Sequence, residues 1–171
     1  EQLNEMNIQE FYSKFEERCG NMLYYHIHYE YKIFDGEKNK WIKSNLKNEK
    51  NTRNTEDIKK NRENKSYENY NGLSLSLSDI PHLIVVDFDK KLIKGECELY
   101  DFLINHDCAY TKTKNGTHFY IIINDIPHYT AEVKIYIDKN IDVDLLAGRR
   151  NVWEHKDRKV NGHLNQFSWN K

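Results

Sequence analysis

The spacing of apolar positions changes several times along the chain, and each change marks a predicted element. Leu3, Met6, Ile8, Phe11, Tyr12 and Phe15 recur at roughly helical spacing and stop near Gly20, which predicts a helix within residues 1–18. Residues 22–34 are rich in Tyr and Ile, and Asp35-Gly36 then leads into a second extended run over Lys40–Lys43, the signature of a hairpin. Residues 44–71 are dense in Asn, Lys and Glu, which predicts a polar loop and one polar helix starting at Thr55. From residue 72 the pattern turns apolar. Strands are expected near 73–77, 82–89, 109–113, 117–123, 141–145 and 149–153, with a last one at 163–169. Helices are expected near 95–106 and 129–138. This alternation predicts a mixed α/β (α+β) domain with a central sheet in residues 71–171. Residues 1–70 would form an added N-terminal layer of helix, hairpin and polar loop.

Composition narrows the class. At 171 residues the chain fits a single domain, and 13% aromatic content excludes full disorder although hydrophobic residues reach only 38%. The net charge of −1 excludes a strongly basic, passive nucleic-acid binder. Cys19, Cys97 and Cys108 are odd in number and irregular in spacing, so the reading is a reducing, intracellular compartment rather than a disulfide scaffold. No apolar run approaches the ~18 residues of a membrane span. Because the chain opens on Glu1 rather than Met, it reads as a piece of a longer protein.

Candidate chemistry centres on His82-Leu-Ile-Val-Val-Asp-Phe-Asp89. In a strand, Ile84, Val86 and Phe88 share one face while Val85, Asp87 and Asp89 share the other. Two carboxylates side by side at the end of an apolar strand repel one another, and a divalent cation relieves that repulsion. The competing account is a strand end whose aspartates merely face water. Ile141-Asp-Val-Asp-Leu145 repeats the arrangement with Asp142 and Asp144. Two strands ending in acidic pairs can hold two metals ~3.5–4 Å apart, the spacing of in-line phosphoryl transfer. Asp87, Asp89 and Asp144 are the metal candidates for Mg²⁺ or Mn²⁺, with Asp142 the weaker one.

Between these strands, Asn115-Gly116 marks a tight hairpin turn. It offers backbone N–H groups, the Thr113 and Thr117 hydroxyls, the Lys112 and Lys114 charges, and His118 just inside the next strand. Such a cluster suits an anion such as a triphosphate; the alternative is a solvated turn with a structural histidine.

Asp87-Phe88-Asp89, then Gly116-Thr117-His118, then Val143-Asp144 resembles the three ordered motifs of the archaeo-eukaryotic primase superfamily. The Thr111-x-Thr113-x-x-Gly116-x-His118-x-Tyr120 wording resembles its primase–polymerase branch, which includes plasmid enzymes and the N-terminal modules of large-DNA-virus primase–helicases. The resemblance covers roughly residues 70–155 and implies an RRM-like catalytic core. It implies template-dependent nucleotidyl transfer on NTP or dNTP, as a DNA primase or polymerase acting on a single-stranded DNA template. Asp87, Asp89 and Asp144 would be the catalytic, metal-binding aspartates. His118 would contact the nucleotide phosphates, with Gly116, Thr117, Thr113 and Lys114 beside it. After the third motif this chain has Leu145-Leu-Ala-Gly-Arg-Arg-Asn151 where many relatives have a Gly-Gly-Tyr-like stretch. Arg149 and Arg150 are assigned there to phosphates or template. No Gly-x-x-x-x-Gly-Lys-Ser/Thr loop is present, so a partner helicase domain would lie outside these residues.

The expected template surface combines residues 43–65 with Arg149, Arg150, Lys156, Arg158 and Lys159. Three rival readings compete. His26-Ile-His28 with Tyr136 on a helix and Lys139 would suit a rolling-circle nickase. The many tyrosines would suit a non-catalytic single-strand binder. Cys97, His106 and Cys108 would form a zinc site.

Overall fold

The computed structural model describes residues 1–16, 27–43, 70–78, 80, 82–124, 132–136 and 141–168. The mixed α/β chain is dominated by strands. The polar helix expected at Thr55, most of the basic 43–65 stretch, His26 and Lys139 lie outside the described residues.

Its central sheet is built on β6 (Leu83–Phe88), a run of β-branched and aromatic residues buried on both faces. β6 pairs antiparallel with β8 (Thr117–Ile123) on one side and with β10 (Val143–Gly148) on the other. β9 (Glu132–Tyr136) extends the sheet beyond β10, while β7 (Ala109–Lys112) and the short parallel β13 (Gln166–Phe167) share the outer edge of β8.

The helix expected at 129–138 is therefore corrected to a strand. Val133 and Ile135 alternate with Glu132, Lys134 and Tyr136 at period two, and pairing with β10 satisfies the backbone of that run. β10 also starts later than expected, at Val143, because Asp142 adopts the left-handed conformation with φ 56.

A second sheet, in the order β11 (Asn151–His155), β5 (Gly72–Ser76), β2 (Ile27–Glu30), stands opposite one face of the first. Leu83, Val85, Tyr120 and Ile122 of the central sheet share a core there with Leu73, Leu75 and Val152. The helix α1 (Ile8–Ser13) completes this core through Ile8, Phe11 and Tyr12. Asn7 caps α1 by accepting from the Glu10 amide at 2.9 Å and donating to its carboxylate at 3.0 Å. Met6–Asn7, the two-residue β1, pairs with β12 (Lys159–Val160), so the N-terminus is anchored in the same unit.

On the other face, Ile84, Val86, Phe88 and Phe119 form a separate core with Leu103 of α2 (Glu98–Asn105). The hairpin β3 (Lys32–Asp35) and β4 (Lys40–Lys43) projects beside β11, where Trp41 packs on Trp153 with ring centroids 5.3 Å apart. The two-sheet arrangement leaves a cleft between the ends of β6 and β8 and this hairpin. Among the described residues, no helix is long and apolar enough to cross a membrane.

Candidate functional site

Strand register builds the site. Asp144 stands opposite Asp87, Asp87 opposite His118, and His118 opposite Thr111, so four adjacent strands place one polar residue each in a single row. Directly opposite residues share a face, with Cβ atoms about 4.5–5.5 Å apart. The row thus points toward the second sheet, on the face of Val85 and Tyr120. Asp89 follows one step beyond β6, and its amide donates to the Asp142 carbonyl at 3.0 Å, tying the two acidic segments together.

His118 is wedged between two carboxylates. Its Nε2 lies 3.3 Å from Asp87 Oδ1 and its Nδ1 lies 3.1 Å from Glu154 Oε2. Burial alone would lower its pKa, but the charges of Glu154 and Asp87 outweigh burial and keep the ring protonated well above its ordinary range. Glu154 is fully buried and reaches across from β11. Its carboxylate accepts from the Thr111 hydroxyl at 2.7 Å, the Tyr120 hydroxyl at 2.6 Å and Arg158 Nη1 at 3.0 Å. Burial would push Glu154 up; His118 and Arg158, together with the Tyr120 hydroxyl, hold it well below the usual carboxylate range.

Gly116 sets how closely the turn approaches the acidic pair. A Cβ there would fall 1.7 Å from the Phe88 carbonyl oxygen, between Asp87 and Asp89, so only glycine lets the two backbones meet. The turn also closes on itself. The Gly116 amide donates to Thr113 Oγ1 at 2.9 Å and the Thr113 amide donates to the Gly116 carbonyl at 3.0 Å.

A cavity of about 390 Å³ opens over the row. Asp87, Asp89, Asp142 and His118 line it. Lys38, Lys40 and Trp41 of the β3–β4 hairpin, together with Lys114 and Arg158, line it as well. Asp89 is pushed up to about 6 by burial and by Asp87, against the pull of His118, with Asp144 and Asp142 adding to the rise. Carboxylate oxygens are hard donors of the kind that Mg²⁺ or Mn²⁺ takes. Among the described residues, no three His, Cys, Asp or Glu side chains converge into a ready ligand shell.

The expected site residues separate into two groups. Asp87, Asp89, His118, Thr113 and Lys114 line the cavity, as does Asp142, while Asp144 stands beside Asp87 in the row. Thr117 is buried opposite Phe88, and strand alternation turns it to the face away from His118. Arg149 and Arg150 lie at the far end of β10, about 16–20 Å of extended chain beyond Asp144. Arg158, expected on the template surface, is instead paired with Glu154 at the cavity.

The rival sites fare differently. Cys97 and His106 flank opposite ends of α2, and His106 Nδ1 is hydrogen-bonded to the Phe102 carbonyl at 2.8 Å, so the zinc reading has no shared centre. His28 is buried on β2 and Tyr136 lies on strand β9 rather than a helix, which removes the nickase's expected helix.

Sequence reasoning missed Glu154 and the hairpin lysines. The available signal for Glu154 was parity: it alternates with Trp153 and His155 and so shares the inward face of Val152. No protein-family model matches the chain, and no curated protein matches it.

Proposed function

We propose that this protein catalyses template-dependent nucleotidyl transfer, joining NTP or dNTP units on single-stranded DNA as a primase or polymerase. The observation carrying this reading is the row Asp144–Asp87–His118: three motifs far apart in sequence become neighbours on three adjacent strands beside a nucleotide-sized cavity.

In this account Asp87, Asp89 and Asp144 would hold Mg²⁺ or Mn²⁺, with Asp142 beside them, and the metal would supply Lewis acidity at the α-phosphate and lower the pKa of a 3′-hydroxyl. The chain's own groups do the rest. The His118 imidazolium presents fixed positive charge to the phosphates at the end of β8. Glu154 orients that ring from behind and keeps it charged, while its own bonds to Thr111, Tyr120 and Arg158 prevent it from turning away. The cationic wall of Lys38, Lys40 and Lys114 offsets charge on the departing pyrophosphate. A bond forms between the 3′-oxygen and the α-phosphorus, the bond to the bridging oxygen breaks, and the hydroxyl proton leaves to water at the open mouth.

The test is product identity. The protein is incubated with single-stranded DNA, labelled nucleotides and Mg²⁺ or Mn²⁺, with and without a primer. Primer-independent products identify a primase and extension alone a polymerase. A covalent tyrosine adduct, or DNA binding without any product, overturns the proposal in favour of a nickase or a binding module.

A further inference from the structure

The positive charge facing the carboxylate row comes mainly from a hairpin to which the motifs assign no role. Lys38, Asn39, Lys40 and Trp41 of the β3–β4 hairpin line the same cavity as Asp87, Asp89 and His118. Arg158 is neutralised by Glu154 at 3.0 Å, and Lys32 lies 3.9 Å from Glu30. Lys38 and Lys40 are exposed and have no carboxylate partner among the described residues. They are the cavity's uncommitted cations, together with Lys114, which sits 4.2 Å over the Phe34 ring.

The β7–β8 turn spends part of its backbone on closing itself. The Thr113 and Gly116 amides are both consumed within the turn. Beyond His118 and Lys114, the remaining free cations of the cleft stand on the β3–β4 hairpin, and that hairpin is held in place. Asp35 Oδ1 accepts from the Glu37 amide at 2.9 Å and the Lys38 amide at 3.2 Å, which pins the loop that carries Lys38. Asn115 Nδ2 donates to the Asn39 carbonyl at 3.1 Å, so the tips of the two hairpins are clasped across the cavity.

We propose that the β3–β4 hairpin is the triphosphate-binding wall of this cleft, with Lys38 and Lys40 holding the anionic tail of a nucleoside triphosphate and Trp41 flanking its base. The inference deepens the nucleotidyl-transfer reading and rests on it for the identity of the ligand. A mononucleotide suits the space better than a polynucleotide strand. The volume of about 390 Å³ falls in the ~300–1,000 Å³ range of small-molecule sites, and the tips of the two hairpins are joined beside it. The ligand has phosphates for the lysines, which act as point charges, and an aromatic base for the indole.

Calorimetric titration in EDTA tests this without metal or catalysis. ATP, inorganic tripolyphosphate, adenosine and an oligo-dT strand are each titrated into the wild type and into the Lys38→Ala/Lys40→Ala double variant. Both substitutions are at exposed positions, and circular dichroism with thermal melting checks that the fold is retained. The expected result is at least a tenfold loss of affinity for ATP and tripolyphosphate, with adenosine binding unchanged. Unchanged ATP and tripolyphosphate affinity in the folded variant overturns the proposal. So does a wild type that binds neither, or a loss confined to oligo-dT, which would make the hairpin a strand-binding surface. The two readings fail separately: a wild type without nucleotide incorporation leaves a lysine-dependent ATP site standing, whereas normal incorporation with unaltered ATP binding in the variant removes only the hairpin's role.

Discussion

Asp87 and His118 face each other across β6 and β8 with Oδ1 and Nε2 3.3 Å apart, so the first and second motifs of the chain meet as an ion pair. The pair places positive charge directly beside the carboxylates that would carry the metal. His118→Ala should raise KM for the nucleotide by about 10- to 100-fold, the range of a lost hydrogen bond to a charged group. A parallel fall in kcat is expected if the contact tightens in the transition state. Steady-state kinetics on a primed template read both, and unchanged constants would reduce His118 to a structural residue.

Stability should follow the His118–Glu154 pair through pH. The His118 pKa rises from 6.5 to about 10 in the fold, so its contribution is complete below 6.5 and is lost as pH climbs through 10. The Glu154 pKa falls from 4.5 to about 2, so its contribution is complete above 4.5 and is lost as pH drops through 2. Both contributions are complete between 4.5 and 6.5, and the melting temperature should decline from there toward pH 10. Glu154→Gln should cost about 3–5 kcal/mol near pH 6 and flatten the alkaline decline. A variant that melts with the wild-type pH profile would show that the pair does not govern it.

Gly116 should tolerate no side chain. In Gly116→Ala the new methyl would collide with the Phe88 carbonyl, which is backbone and cannot rotate away. The turn must lift from β6, at an expected cost of about 1–3 kcal/mol, the range for overpacking a closed contact. Because the displaced segment borders Asp87 and Asp89, nucleotide affinity should fall along with the melting temperature. Wild-type stability and affinity in that variant would contradict the close approach.

Legibility in the sequence tracked how local each feature is. Asp87 and Asp89 were visible because they end an uninterrupted apolar run, and the Asn115-Gly116 turn announced the β7–β8 hairpin. The sheet's alternation also placed Ile84, Val86 and Phe88 on one side and Val85 on the other, as the two cores show. Glu154 was not singled out, since its partners Thr111, Tyr120 and His118 come from two other strands and only packing brings them near. The short Val–Lys–Ile pattern of β9 suits helix or strand, and the open edge of β10 decides for the strand. The motif places the Thr117 hydroxyl beside the nucleotide, yet its parity on β8 turns it into the opposite face. The hairpin lysines carry no motif at all; their relevance comes from β3 and β4 folding against Trp153.

The acidic positions should not be equivalent. Asp144 shares the row with Asp87, whereas Asp142 lines the cavity wall from the turn before β10. Asp144→Ala should abolish incorporation, and Asp142→Ala should reduce it by less than tenfold while leaving the requirement for Mg²⁺ or Mn²⁺ intact. Incorporation measured against metal concentration separates the two; equal losses would assign Asp142 to the metal set as well.

The most direct test of the central claim is labelled-nucleotide incorporation on single-stranded DNA by the wild type and by Asp87→Ala, each confirmed folded by circular dichroism. The account predicts metal-dependent incorporation by the wild type and a loss of at least a thousandfold in the variant, the scale of removing a central electrostatic group from a phosphoryl-transfer site. Incorporation by Asp87→Ala at the wild-type rate would contradict it, because the row Asp144–Asp87–His118 would then not be where the chemistry occurs.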